Sequence, residues 1–203
     1  MRHLFALFLL VFPLLATAQS EEIVLGLSRD EVAITATFDG SDVLIFGAIK
    51  REAPAPDTGP LQVIITLSGP SEPITVRRKD RVVGIWANRD AAEINDAPSF
   101  YAVASSAPLT DSLNEAEDLE RAISIPRVIR AIDAPDGIDD IDAFSEALIR
   151  IRAGEGLYQQ LEGGVDIEEE TLFRGQISLP ASLTEGDYKA CLLYTSPRPR
   201  DRG

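Results

Sequence analysis

Four basic side chains stand close together in the first half of the chain and could bind an anion. They are Arg77, Arg78, Lys79 and Arg81, here called the basic cluster. Arginine and lysine donate charge-assisted hydrogen bonds to carboxylates and phosphates, so the pattern could form an anion site or a clamp on a partner. Strand alternation predicts Arg77 and Lys79 on one face and Arg78 on the other. The alternative, which we favour, is a charged edge hairpin that discourages pairing with another chain.

Two aromatic residues complete the set of candidate ligand- or partner-binding residues. Trp86, the one tryptophan of the chain, could be a ligand platform, but we expect a core aromatic at the end of a strand. Tyr101 is the second candidate. The nearby Ser99 and Ser105 could suggest a serine nucleophile, yet the chain has no histidine in a position to activate them. An alternating strand explains this segment better.

Carboxylates are abundant but do not form a recognisable catalytic or metal-binding motif. Residues 133–142 are rich in aspartate, but they lack the spacing and the closing glutamate of an EF-hand, so a solvated loop leading to a helix cap at Asp142 is expected. Glu168 to Glu170 are interpreted as a solvated turn. A glycosidase-like carboxylate pair stays open as an alternative, although nothing selects two of the many acids.

The lack of histidine and cysteine limits the chemistry further. The single histidine is His3 and the single cysteine is Cys191, so residues 19–190 contain neither. This excludes thiolate nucleophiles, Ser-His-Asp triads and the usual zinc, copper or haem ligand sets from that range. We therefore predict no catalytic residues, no metal site and no cofactor, and a function other than that of an enzyme.

The charge balance excludes another class of function. The formal net charge is −14, and the acidic residues concentrate in the second half of the domain. Such a chain repels nucleic acid and anionic lipid headgroups, so no nucleic-acid partner is expected.

The elements that must position these residues are mostly strands. Short apolar or alternating runs rich in Val, Ile and Thr are separated by turn residues. The Pro-rich segment 52–60 cannot donate ladder hydrogen bonds at its prolines and is expected to cross between two sheets. Strands are predicted at residues 23–27, 32–38, 43–49, 61–67, 74–78, 82–86 and 98–105, with further strands after Glu170.

A helical insert is predicted at about residues 111–162. Ser112 and Glu115 fit a capping box, and a second short helix could follow Pro126. A third helix is predicted to begin at Asp142 and to end at Gly163. The apolar residues at helical spacing on its face are Phe144, Leu148, Ile151, Tyr158 and Leu161.

The fold class predicted is mainly β (α+β): an immunoglobulin-like antiparallel β-sandwich with the helical insert. Gly186, Asp187 and Tyr188 resemble the tyrosine corner of such sandwiches, in which a tyrosine hydroxyl bonds back to the preceding main chain. Tyr188 should therefore begin a late strand.

The first residues indicate export. Arg2 precedes an apolar run at residues 4–15, and Ala16-Thr17-Ala18 has the small-x-small pattern that signal peptidase recognises. The run is shorter than the roughly 20 apolar residues of a membrane span. Residues 1–18 are therefore predicted to be a signal peptide, and residues 19–190 to be one exported domain.

Five segments resemble consecutive blocks of one family, the alphaproteobacterial putative transmembrane protein family, whose function is unknown. They are FDGSDVLIFGAIKREAP, VRRKDRVVGIWAN, PSFYAVASSAPL, FSEALIRIRAGEGLY and TLFRGQISLPASLTEGDY. The resemblance implies a domain on the periplasmic face of the inner membrane, with one C-terminal transmembrane helix that this chain lacks. It also implies genes near permeases similar to sulfite exporters. It supplies no catalytic residues.

The chain departs from that family at Cys191. Residues 191–201 resemble CLLYTSPSPRD, the translation of a sequencing-library adapter, and differ from it only at Arg198. Residues 191–203 are therefore interpreted as a non-native tail in place of the rest of a strand and the membrane helix. The alternative is a reactive cysteine with a basic, Pro-rich arm.

Taken together, these patterns predict a membrane-tethered periplasmic accessory domain that assists a neighbouring permease. The alternatives are a carboxylate-dependent hydrolase of the cell envelope and a small-anion-binding module that uses the basic cluster.

Overall fold

The computed structural model describes residues 22–35, 37–50, 60–133 and 140–195. The predicted signal peptide, nearly all of the Pro-rich segment, the centre of the aspartate-rich loop and the end of the tail lie outside these residues. The described part is mainly β, as the sequence predicts. Its elements are β1 (Glu22–Leu27), β2 (Ser41–Lys50), β3 (Gln62–Ser68), β4 (Ser71–Val82), β5 (Ile85–Pro98), β6 (Tyr101–Ser105), α1 (Leu109–Ser112), α2 (Glu115–Arg121), α3 (Ile125–Val128), β7 (Arg130–Asp133), α4 (Asp142–Gly154), β8 (Tyr158–Glu162), β9 (Val165–Glu168), β10 (Leu172–Leu179) and β11 (Lys189–Thr195).

Two four-stranded sheets form the sandwich. The first sheet has the order β1-β2-β10-β9, and the second has the order β11-β3-β6-β8. Buried apolar side chains of both sheets form one core. Gly175 in β10 lets the layers approach closely, because a Cβ there would lie 3.0 Å from Cδ1 of Ile65 in β3. The described ladders are antiparallel except for β6 with β8, which is parallel.

A third sheet has the order β4-β5-β7 and consists mostly of one long hairpin. The chain leaves β3 in the second sheet, passes Gly69 and Pro70, and enters β4. Near the start of β4 and the end of β5 the hairpin is anchored to the sandwich. The hydroxyl of Tyr158 donates a hydrogen bond of 2.9 Å to the carbonyl oxygen of Pro98 there.

Three of the strands predicted in the first part of the domain are confirmed. The predictions at 23–27, 43–49 and 61–67 correspond to β1, β2 and β3. The strand predicted at 32–38 is wrong, because the described residues of that segment form no ladder and only Val32 packs against the core. The strand predicted at 82–86 is also wrong, since the reversal of the hairpin falls there, at Val83 and Gly84. Residues 79–81, between the strands predicted at 74–78 and 82–86, are correspondingly part of β4 and not a turn.

The predicted helical insert contains strands as well as helices. Asn114, rather than Ser112, caps α2, and its side chain accepts a hydrogen bond from the amide of Glu117. The predicted third helix ends at Gly154, before Gly156 adopts a φ of 72°. Tyr158 and Leu161, predicted on the helix, lie in β8 beside β6. Helical spacing would place residues 158 and 161 on one face, whereas the strand places them on opposite faces, and pairing with β6 selected the strand.

The predicted tyrosine corner is present. The hydroxyl of Tyr188 donates a hydrogen bond of 2.9 Å to the carbonyl oxygen of Thr184, and its ring packs 6.1 Å from that of Phe100, centroid to centroid. The late strand predicted after Tyr188 is β11, which pairs with β3 through Thr195. This corner and the two-sheet arrangement are compatible with an immunoglobulin-like sandwich.

Candidate functional site

The hairpin of β4 and β5 carries the basic cluster and Trp86. Its two-residue reversal has φ values of 49° at Val83 and 86° at Gly84, so both central residues are left-handed. Two-residue loops of this kind match the twist of a hairpin and favour Asn or Gly. Gly84 suits the conformation, whereas a β-branched residue such as Val83 adopts it at a cost.

The end of this hairpin is apolar and exposed to solvent. The exposed fractions are 96% for Val83, 73% for Ile85 and 69% for Trp86, and these three residues are here called the hairpin tip. Single exposed apolar residues are ordinary, but contiguous ones mark an interaction site. The expectation that Trp86 is a core aromatic is therefore wrong. Its strand extends past the sandwich, and no other described element covers it.

One face of the hairpin combines positive charge with the exposed indole. Arg81 lies directly opposite Trp86, and Lys79 lies opposite Asn88. Arg77 shares this face with Lys79 and Arg81 through the strand period of two residues. All three basic side chains are exposed, and none makes an ion pair within the described ranges. They are here called the basic face.

The opposite face of the hairpin is neutralised. Arg78 donates hydrogen bonds of 2.6 and 3.1 Å to Oδ2 of Asp90, and its guanidinium lies 5.3 Å from the ring centre of Phe144 in α4. The bond to Asp90 is the main cause of a raised pKa at Arg78. Arg89 pairs with Asp80 at 3.0 Å. The pKa of the Asp80 carboxyl is lowered, first by the amide of Arg81 and then by Arg89.

The basic cluster is therefore divided between two faces and does not form a single anion clamp of four side chains. Arg78 is bound to a carboxylate of the hairpin itself, whereas the other three point away from it. The predicted separation of Arg77 and Lys79 from Arg78 agrees with this geometry. The register shift between Arg78 and Lys79 makes Arg89 the extra residue of β5, which places it beside Asp80.

Tyr101 lies in the core of the sandwich, apart from the other candidates. It is buried in β6, and its hydroxyl donates a hydrogen bond of 2.6 Å to the carbonyl oxygen of Ile123. Burial is the largest cause of a pKa well above the ordinary value for this phenol. Its position indicates that it ties the segment after α2 to the second sheet.

A second exposed apolar surface lies on the outer face of the first sheet. Val24, Ala48 and Leu172 are paired across β1, β2 and β10, and Phe46 lies two residues from Ala48 on the same face. The exposed fractions are 58% for Val24, 44% for Phe46 and 48% for Leu172. The ring of Phe46 lies against Gly26, where a Cβ would come within 2.8 Å of it. Val24, Phe46, Ala48 and Leu172 are here called the outer patch.

Val83, Ile85 and the outer patch are functional candidates that were not predicted from the sequence. A signal for the hairpin tip was present in the sequence. Gly84 has an apolar residue on each side and charged strand residues beyond them, a pattern typical of a hairpin reversal. The sequence of β2 contained no comparable signal for the outer patch. Leu44, Phe46 and Ala48 are as apolar as the buried Val43, Ile45 and Ile49, so the run indicates a strand buried on both faces.

Two further properties concern the described residues alone. They contain no group of three or more His, Cys, Asp or Glu side chains arranged to hold a metal ion. Among their helices, none combines the length and apolar character needed to cross a bilayer.

The fold and these surfaces define a mainly-β sandwich domain with a projecting hairpin and two exposed apolar surfaces. The chain belongs to the family described as "Putative transmembrane protein" (Alph_Pro_TM), whose model matches residues 22–197. The match spans every element from β1 to β11 and includes part of the tail interpreted as adapter-derived, and that interpretation stays a prediction. No curated protein and no solved structure matches the chain.

Proposed function

We propose that this chain is the extracytoplasmic interaction domain of a membrane-tethered protein and that it binds a membrane permease without catalysing a reaction itself. The proposal places the domain on the periplasmic face of the inner membrane. The family description as a transmembrane protein supports the tether. The resemblance to proteins encoded near sulfite-exporter-like permeases suggests the class of partner.

The outer patch is the observation that carries the proposal. An antiparallel sheet with one face in water alternates apolar and polar residues, so its outer face should be polar. Here Val24, Phe46 and Leu172 remain exposed at neighbouring positions of three adjacent strands. Contact with a partner would remove this apolar area from water.

The rim of the outer patch suits a protein interface. Arg174, opposite Phe46 in the ladder, pairs with Asp166 at 3.3 Å, and both side chains are largely exposed. An apolar centre with a charged, solvated rim is the usual anatomy of a specific protein contact. This face of the first sheet would lie against the extracytoplasmic loops of the permease.

Co-purification tests this function directly. The full-length protein, encoded by its genomic reading frame, would be expressed with the permease encoded beside it, extracted in mild detergent and captured through the permease. Phe46→Asp is expected to reduce the recovered domain by about tenfold or more, because it places a charge in a desolvated interface.

Leu119→Asp is the matched control, since Leu119 is also an exposed apolar residue, at 65%, but lies on α2. It should leave recovery unchanged. Equal recovery of the unsubstituted, Phe46→Asp and Leu119→Asp proteins would contradict the proposed partner surface. The genomic reading frame also tests the tether, since a frame that ends without an apolar segment of roughly 20 residues would exclude the expected helix.

A further inference from the structure

We infer that the hairpin tip and the basic face together bind the surface of an anionic lipid bilayer. The inference rests on the proposed placement of the domain beside a membrane, but it concerns a different surface and a different class of partner from the outer patch. The binding partner is the lipid itself. The apolar tip enters the interfacial region of the bilayer, while the basic side chains remain at the headgroups.

The composition of the tip matches the interface of a bilayer. Trp86 has a large apolar ring with one polar N–H, and tryptophan is enriched where acyl chains meet headgroups. Val83 and Ile85 flank the reversal and supply apolar side chains that water surrounds in the free protein. A hairpin end can enter to this shallow depth because its exposed main chain stays within reach of water and headgroups.

The charges lie where lipid headgroups would meet them. Arg81 is level with Trp86 in the ladder, and Lys79 and Arg77 follow at increasing distance from the tip. Basic residues near an anionic surface strengthen its attraction for the protein. The two acids of this part of the hairpin, Asp80 and Asp90, are already paired with Arg89 and Arg78.

This local excess of positive charge opposes the character of the whole chain. The net charge of −14 disfavours a general approach to an anionic membrane. Only a localised surface can then attract lipid, so the domain should approach with the hairpin foremost. The expectation from composition, that the chain repels anionic headgroups, would hold for the sandwich and fail at the hairpin.

The chemistry of the turn supports a role for Val83 beyond folding. A left-handed φ favours Asn or Gly at this position, and the valine side chain gains nothing from packing because it is 96% exposed. Val83→Asn should therefore fold at least as well as the unsubstituted chain. This substitution separates loss of lipid binding from loss of stability.

The experiment uses the chain from residue 19 onward, without the predicted leader, and unilamellar vesicles. One set contains equal parts of phosphatidylglycerol and phosphatidylcholine, and the other contains phosphatidylcholine alone. Because Trp86 is the one tryptophan, its fluorescence reports on the tip without a label. We expect a blue shift with the anionic vesicles, quenching by lipids brominated in the upper acyl chain, and binding at least tenfold weaker to phosphatidylcholine alone.

Variants then assign the binding to its residues. Val83→Asn and Ile85→Asp should each weaken binding to the anionic vesicles by about fivefold or more, measured by co-sedimentation. Replacing Arg77, Lys79 and Arg81 by glutamine should abolish the preference for anionic vesicles. Leu119→Asp should bind as the unsubstituted chain does, and all variants share Arg198, Arg200 and Arg202, so differences among them report on the hairpin.

An unshifted Trp86 emission, equal binding to both vesicle types, or an equal loss with Leu119→Asp would each overturn the inference. The two proposals also fail separately. Phe46→Asp should leave vesicle binding intact, and Ile85→Asp should leave recovery with the permease intact. Loss of that recovery with Ile85→Asp, without vesicle binding by the unsubstituted chain, would assign the tip to a protein partner instead.

Discussion

The base and the tip of the β4–β5 hairpin are parts of the same two strands, yet their apolar side chains have opposite environments. At the base, Ala92, Ile94 and Ala97 are buried. At the tip, Val83, Ile85 and Trp86 are exposed. The base has β7 paired along one edge and the sandwich beside it, whereas the described elements leave the tip uncovered. The strand pair alone therefore does not bury its side chains; a second layer does.

The largest expected effect comes from comparing one isoleucine at each end. Ile94→Ala should lower the free energy of unfolding by about 2–5 kcal/mol, because it removes buried methyl groups and leaves a cavity. Ile85→Ala should change it by no more than about 0.5 kcal/mol, since this side chain is largely in water already. Urea denaturation of both variants measures the difference. Similar losses would show that the tip is covered in solution.

An intermediate effect is expected from the anchor at the base. Burial raises the pKa of the Tyr158 hydroxyl, which donates to Pro98, to about 12. A tyrosine whose pKa is higher in the folded than in the unfolded chain stabilises the fold fully below pH 10, and this contribution is lost as the pH rises from 10 to 12.

The free energy of unfolding, measured by urea denaturation from pH 8 to 12, should therefore fall over that interval. Tyr158→Phe should cost about 1–3 kcal/mol at pH 8, because the carbonyl of Pro98 loses its donor. Its decline above pH 10 should be shallower, with the remainder due to Tyr101 and Tyr188, whose pKa values are also raised by burial. An unchanged slope in Tyr158→Phe would refute the assignment.

The smallest effect is expected midway along the hairpin, where Arg78 connects Asp90 to the ring of Phe144. Arg78→Met should lower the urea midpoint slightly, and the difference should shrink in high salt because the pair is partly exposed. Arg77→Met is the control, since Arg77 has no ion-pair partner in the described residues. If both variants behave alike, Arg78 does not hold the hairpin against α4.

Much of the fold follows from local sequence patterns. The strands β2, β3 and β10 and the tyrosine corner at Tyr188 were predictable, because strand composition and corner chemistry act over a few residues. The position of the hairpin reversal was not. Residues 82–86 have the composition of a strand, and a left-handed valine at 83 is contrary to ordinary turn preferences.

The candidate site was predictable only in part. The division of Arg77 and Lys79 from Arg78 follows from the strand period. The exposure of Trp86 and the burial of Tyr101 do not, since both are aromatic residues within strand-like segments. The ion pair between Arg78 and Asp90 depends on a ladder register that the bulge between Arg78 and Lys79 shifts by one residue.

The sequence by itself determined the chemical repertoire, the predominance of strands and the faces on which neighbouring side chains lie. These properties depend on residue types and on backbone geometry over short distances. Only the tertiary structure decided which apolar residues are covered. Ile94 and Ile85 lie in the same strand, but packing of the sandwich and pairing with β7 bury one, while the other projects beyond them into solvent. Burial depends on packing between residues that are distant in the chain. The two surfaces proposed to bind a permease and a bilayer are exposed because no described element packs over them.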